Sequence, residues 1–514
     1  MAKYNIINTD LADVFDNHDK EKYLFTLAWG DHIDVDESET NDRHICINTV
    51  KYKEQSGGKF EAIKTKAYIC PNGKYGLSSK DFIAPLENSK VLKVNFVDVQ
   101  QGDGTVIESP DGKIILVDGG DNVLFARYLA SRYRDTSENN PLKIDCILVT
   151  HGDADHFAGL SEIHASEEHN ESRKKLFIAP ERVYHNGLVK RPSKDENGQK
   201  TPERQLLGST NKVGDDLIIT ELFKDLIQVP DERMNEPFRR WKLALQAWNN
   251  RKKIEFERIA FGNDKAFEFF RNDEHEIEIT ALGPFLTQID NVTGLKFLAK
   301  PAEGPRSEDE SIDINDSDTK GLSASHTING HSIVFRLRYG GFSFLFTGDL
   351  NDEAGRNLAR YHQEGKINLR SDIFKVPHHG SADFSGAFIS LTSPIISIVS
   401  SGDESAKKEY IHPRATLMGA LGRHSRVNEP LIFVTELVAF FNLEGMVRLT
   451  EPEKEKKRGE FLAFSRKNYG MVNARTDGKR LLVYTDSGKS GLKEAYCYAI
   501  NENGVPTPTE VRRI

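Results

Sequence analysis

The chain has 514 residues, 38% of them hydrophobic and 29% charged, with a formal net charge of −9. That length suits roughly two to four domains, and the apolar content is enough for a large core, so global disorder is excluded. The acidic balance excludes a general polyanion trap; basic runs at Arg251–Lys253 and Lys454–Gly459 are read first as solvated faces and only second as nucleic-acid contacts.

The N-terminal stretch MAKYNIINTDLADVFDNHDK has no basic-then-apolar pattern, so no signal peptide is expected. Residues 1–90 read as a separate β-rich module. LFTLAWGDHIDVD, HICINTVKYKEQ and FEAIKTKAYIC are strand-like, and QSGGK and CPNGK are turn-prone. An SH3-like barrel is one reading of the alternation after WGD. At Val91 the pattern changes to VLKVNFVDV, then TVIES and KIILVDGG around a turn at Pro110–Gly112. NVLFARYLASRYR is helix-like, and the buried strand IDCILVT runs into His151. Such an α/β order gathers sites where strands end.

Residues 190–324 are polar and irregular around one helical stretch, PFRRWKLALQAWNNRKKIEFERI, and read as a large insertion in a core domain spanning 91–425. SIVFRLRYGGFSFLFTGDL then predicts a hairpin ending at Asp349, followed by the helix DEAGRNLARYHQ. DIFKVPHHGS and SPIISIVSSG are further strands, and His412–Pro413 precedes the helix RATLMGALGRH. The tail, 426–514, holds LIFVTELVAFFN, FLAFSRK and KRLLVYTD and is expected to complete the second sheet. Its longest apolar run is broken by a Glu and too short for a bilayer. Cys46, Cys70, Cys146 and Cys497 have neither zinc-like nor disulfide-like spacing, which predicts a reducing, cytoplasmic setting.

The segment THGDADHFAGL, from Thr150 to Leu160, packs His151, Asp153, Asp155 and His156 into six residues directly after a buried strand. Imidazole nitrogen and carboxylate oxygen suit Zn, Mn or Fe. The plainer alternative is a helix N-cap, with Asp153 or Asp155 capping the turn before FAGLSEI.

Five further motifs accompany this cluster in order: FVDVQQGD at Phe96–Asp103, ILVDGG at Ile115–Gly120, SIVFRLRYGGFSFLFTGD at Ser332–Asp349, VPHHGS at Val376–Ser381 and His412–Pro413. Together they resemble the metallo-β-lactamase-fold hydrolases, in the branch related to the hydrolase domain of the competence protein ComEC, over Val91 to Arg423 apart from the insertion. The resemblance implies an αββα sandwich with one or two divalent ions at one sheet edge. It assigns His151 and Asp153 to a first ion, and Asp155 and His156 to a second. Asp349 would bridge them, and a histidine of HHGS would complete the second site, His379 in preference to His378. Asp118 would sit beneath and orient the cluster, with Asp98, Asp103 and Asn329 in similar supporting places. The third ligand of the first ion is open: His185, in VYHNG, and more weakly His331 are candidates, with an ordinary structural histidine as the other reading. His412 is a candidate proton donor or phosphate ligand, again beside a structural reading. The branch usually reads DVGQGD, so Gln100 departs from it at a turn rather than at a ligand.

Two Zn or Mn ions would generate a hydroxide between them, with Asp155 and Asp349 among the catalytic groups. The branch resemblance favours phosphodiesters, hence a nuclease or phosphodiesterase; cyclic nucleotides, small esters and lactones are the alternatives. A different class is also open: a partner-gated or non-catalytic subunit of a bacterial defence-type assembly, docking a protein through the N-terminal module or the insertion.

Overall fold

The structure is a computed structural model and describes residues 5–55, 60–195, 197–289, 291–299, 321–402, 412–435, 470–486 and 494–514. Two sheets face each other across an apolar layer. The first has ten strands. Its centre runs in the order Arg182–His185, Cys146–Leu148, Ile114–Asp118, Gly104–Glu108, Leu92–Phe96. The second has six, in the order Ile277–Gly283, Val334–Tyr339, Phe342–Phe346, Ile373–Lys375, Ile396–Val399, Leu431–Val434. Period-two alternation explains the layer. In Leu92–Phe96 the residues Leu92, Val94 and Phe96 enter the inter-sheet core, while buried Asn95 accepts a hydrogen bond from Arg475 at 2.8 Å. Phe346 stacks on Phe96 at 6.0 Å and on Phe335 at 4.5 Å, joining the sheets.

Helices cover both outer faces. Helices α1 (Leu124–Arg132), α2 (Ala154–Ser166) and α3 (Glu236–Arg251) pack over Val106, Leu116, Ile147 and Val183 of the first sheet. In α3 the residues Phe238, Trp241, Ala244, Leu245 and Trp248 recur at helical spacing and are buried, and Asn235 caps the first turn by accepting from the Phe238 N–H at 3.2 Å. A short helix, α4 (Ala324–Gly330), stands at the edge where the strands end. Helices α5 (Asp352–Gln363), α6 (Gly386–Thr392) and α7 (Ala415–His424) pack over Leu345, Phe374 and Val399 of the second sheet. This is the αββα sandwich expected from the resemblance.

Two expectations need revision. The stretch 190–324 is not one excursion from the core, because Glu255–Arg258 pairs in parallel with Arg182–His185 and Ile277–Gly283 pairs with Val334–Tyr339. The helix predicted through IEFERI ends at Arg251, and Glu255–Arg258 is instead an edge strand of the first sheet; Ile277–Gly283 is the edge strand of the second. The tail also divides. Leu431–Val434 joins the second sheet, but Met471–Thr476, Arg480–Asp486, Ala495–Ile500 and Pro506–Thr509 extend the first from Leu92–Phe96 outward. The basic run at Lys454–Gly459, the FLAFSRK strand and the acidic part of the insertion at 303–320 lie outside the described residues. Among the described residues no helix is long and apolar enough to cross a membrane.

The N-terminal residues form their own seven-stranded sheet between Asn5 and Pro85, around a core of Ile7, Val14, Ile33, Ile45, Ile47 and Ile69. Ile514 belongs to that same core. Residues Arg512–Ile514 run beside Leu11–Asp13, and the Arg513 guanidinium makes two 2.9 Å bonds to Asp13.

Candidate metal centre

The ligand-bearing segments meet because five strands end at one edge. Ile114–Asp118 delivers Asp118, and Cys146–Leu148 leads to Thr150 and His151. Phe342–Phe346 leads to Asp349, Ile373–Lys375 to His378 and His379, and Ile396–Val399 to Ser400. Asp155 and His156 ride on the first turn of α2. One oxygen or nitrogen each from Asp155, His156, Asp349 and His379 falls within 4.8 Å of the others. The His156 Nε2 atom is 3.2 Å from one oxygen of Asp349, and the His379 Nε2 atom is 3.1 Å from the other and 3.4 Å from Asp155.

The opposite ring nitrogens are tied down. The Nδ1–H of His156 donates to Asp118 at 2.8 Å, and that of His379 donates to the Ser400 carbonyl at 3.0 Å. Asp118, fully buried, also accepts from the Thr150 backbone N–H and hydroxyl, both at 2.7 Å. With its proton committed to Asp118, the Thr150 hydroxyl accepts from the Nδ1–H of His151 at 3.1 Å. All three imidazoles therefore present a bare Nε2, the tautomer a metal needs. Those Nε2 atoms and one oxygen of Asp349 are buried without any hydrogen bond. Buried polar atoms are rarely left so, and a cation among two imidazoles and two carboxylates would satisfy them, so these residues fit a divalent ion.

Without an ion the same carboxylates hold protons on His156 and His379, which a divalent ion would displace on binding. Burial alone would raise the Asp349 carboxyl, but His379 and His156 hold it well below the usual carboxylate range. Asp155 is likewise lowered against burial by His379 and His156. Burial opposes charge on His156 and His379, yet the surrounding carboxylates, Asp349 first, raise both well above an ordinary histidine. Burial pushes Asp118 up, partly offset by His156. Opposite charges and low solvent access account for each shift.

The other expected residues occupy varied places. Buried His151 and the partly exposed His378 stand farther off, each with Nε2 3.9 Å from the same Asp349 oxygen. Asp153 is at the N-cap position of α2 but makes no capping bond. Instead it accepts from Lys190 at 2.8 Å, and turning the Asn329 amide so that its nitrogen faces acceptors gives the other oxygen a donor at 3.1 Å. Asp103 lies behind His379, 3.5 Å from its Nδ1, and pairs with buried Lys375. Asp98 accepts the Gln100 N–H at 3.1 Å and shapes the turn before Gly102. The His185 ring is spent on backbone: its Nε2 meets the Lys224 carbonyl at 2.9 Å and its Nδ1 accepts from the Gly187 N–H at 3.0 Å. His331 faces the Lys296 carbonyl at 2.7 Å. The His412 ring lies 6.0 Å from that of His378, tilted by 51°, and burial, with His379, lowers its pKa to about 3.

Three participants escaped the sequence reading. Gln101 donates to Asp155 at 3.2 Å, Lys190 pairs with Asp153, and Lys375 pairs with Asp103. Lys375 carried a usable signal, a lone lysine inside the apolar strand DIFKVP. Gly102 is required by geometry: its φ is +104°, and a Cβ there would lie 1.8 Å from the Asp155 carbonyl oxygen. Asp118, His378 and His379 also hold positive φ, at 56°, 49° and 51°. Backbone strain of this kind collects at functional sites.

Residues 97–170 match the family model described as the metallo-beta-lactamase superfamily. Similar curated proteins are ComE operon protein 3 of Bacillus subtilis (strain 168), 34% identical over 98 residues, and competence protein ComA of Neisseria gonorrhoeae, 35% identical over 99 residues. Each alignment covers 19% of this chain, and only 12% and 13% of those two proteins. Similar solved structures include Tm1679, a metal-dependent hydrolase of the beta-lactamase superfamily, with TM-score 0.30 and 11% identity over 68% of this chain and 97% of that one. Unliganded yeast PDE1 gives TM-score 0.31 and 11% identity over 68% and 98%.

Proposed function

We propose that this chain is a metal-dependent hydrolase of the metallo-β-lactamase superfamily whose substrate is a phosphodiester, in a nucleic acid or a smaller molecule. The observation that carries the reading is the ring of unsatisfied donors: His156 Nε2, His379 Nε2 and an Asp349 oxygen, closed by Asp155, with every opposite imidazole nitrogen braced. A divalent ion held there supplies Lewis acidity to a phosphoryl oxygen and acidifies a water. Two carboxylates and two imidazoles suit such an ion, and thiolate is absent from the set.

The chain's own residues do the rest. Asp118, through Thr150 and His156, fixes ring orientation before any substrate arrives. Asp349 faces both His156 and His379 and is kept ionised, so it accepts a proton only when the charge around it changes. Lys190, one quarter exposed, brings positive charge to the rim, where an anionic phosphodiester would arrive. His412, held neutral beside His378, is assigned the part of passing a proton between solvent and the leaving group.

The test is cleavage of bis-p-nitrophenyl phosphate, single-stranded DNA, duplex DNA and RNA with added Mn²⁺ or Zn²⁺, run beside p-nitrophenyl acetate and a simple lactone. The doubly substituted Asp155→Ala/His156→Ala chain should bind no ion and fall to background while melting near the wild-type temperature. Undiminished turnover in that variant would remove the metal mechanism. Turnover confined to the acetate or the lactone would remove the phosphodiester assignment.

A further inference from the structure

The two halves of the cluster are not equivalent. Asp155, His156, Asp349 and His379 converge, whereas buried His151 stands 3.9 Å from Asp349, Asp153 faces Lys190 and His378 faces Asn329. One oxygen of Asp153 is taken by the Lys190 ammonium, and the other faces the Asn329 amide, whose hydrogen bonding is satisfied when its nitrogen is turned toward Asp153 and the Ser325 carbonyl. With that nitrogen on Asp153, the amide oxygen of Asn329 faces the His378 Nε2 atom, 3.4 Å away. Lys190 is held in place: the Asn235 N–H donates to its carbonyl at 2.8 Å, and the next residue, Arg191, donates to the Leu206 carbonyl at 2.8 Å. The side chain of Lys190 is 25% exposed, so it lies between Asp153 and solvent.

We propose that the centre takes one tightly held divalent ion, at Asp155, His156, Asp349 and His379, and that the Lys190 ammonium replaces a second. A lysine is a compact point charge with three donors. Spending one on Asp153 at 2.8 Å and one on the Ser325 hydroxyl at 3.5 Å leaves a third for an anionic oxygen of the substrate. The arrangement supplies positive charge on two sides of that oxygen with a single ion. This inference rests on the metal-dependent reading above and fixes its stoichiometry.

Calorimetric titration of the chelator-stripped full chain with Mn²⁺ tests it directly. One ion per wild-type chain is expected. Lys190→Met should release Asp153 and raise the count to two, while Lys190→Arg should stay at one. Electron paramagnetic resonance of the Mn²⁺-loaded wild type gives a separate reading: an isolated six-line spectrum is expected, against the exchange-coupled spectrum of an adjacent pair. Two ions in the wild type, a coupled spectrum, or a count of one in a folded Lys190→Met chain each overturn the proposal and leave the metal-dependent reading standing. No ion in the wild type sinks that reading itself. If Lys190→Met does not fold, the wild-type count and spectrum decide.

Discussion

Replacing Asp118 by Asn keeps the shape of the side chain and removes one acceptor. The native carboxylate accepts three bonds, from the Thr150 N–H on one oxygen and from the Thr150 hydroxyl and His156 Nδ1–H on the other. An amide can be placed in two ways. With its nitrogen toward the Thr150 N–H, two buried donors face each other, at a cost of about 1–3 kcal/mol in stability. With its nitrogen toward His156, the ring keeps a bond only by moving its proton to Nε2, the atom aimed at Asp349 and the ion. Either placement should weaken metal binding about 10–100-fold, or about 1.4–2.8 kcal/mol. The assay is Mn²⁺ competition against a chelator, with a thermal melt of the metal-free chain beside it. An Asp118→Asn protein that keeps its fold and binds metal within twofold of wild type would refute the bracing argument.

Two other outcomes are expected. Burial lowers both His185 and His331 to about 4, so each is neutral when folded and protonates more easily when unfolded. The folded pKa lies below the unfolded one, so stability is unaffected above about pH 6.5 and is lost as pH falls from there toward 4, by at most roughly 3 kcal/mol per histidine. Urea unfolding at pH 7 and pH 5 should show this, and His185→Gln should flatten the difference while leaving metal content unchanged; an undiminished slope would return the effect to other groups. Gly102→Ala forces a side chain into a left-handed backbone against the Asp155 carbonyl, and should cost roughly 2–5 kcal/mol and reduce metal affinity. A melting temperature equal to wild type would show that the turn at Gln100–Gly102 is softer than its contacts imply.

The sandwich and the ligand cluster were legible because both are written locally. Alternating strands such as LKVNF and FSFLF announce a face, and the ligands follow strand ends within a few residues. What stayed hidden depends on chain segments meeting from far apart. Lys190 reaches Asp153 across 37 residues, and neither sequence neighbourhood hints at the other. His185 sits at a strand end exactly as a ligand would, but its ring is captured by the Lys224 carbonyl, which no residue pattern encodes. Glu255–Arg258 read as the end of the preceding helix because a four-residue edge strand is too short to show its period, and Ile277–Gly283 was lost in the polar stretch around it.

The pairing of Arg513 with Asp13, 500 residues apart, bears on how the protein is made. A ribosome delivers the N-terminal sheet first, yet Ile514 and the strand-like Arg512–Ile514 segment are part of its core and edge. At about 5–20 residues per second, that sheet waits on the order of half a minute or more before its last piece emerges. During that interval the flank of Leu11–Asp13 that Arg512–Ile514 will cover offers its backbone groups to any extended segment nearby. A chaperone binding this early exposed edge would shorten the hazard, and the closing step couples completion of the first module to arrival of the last residue described.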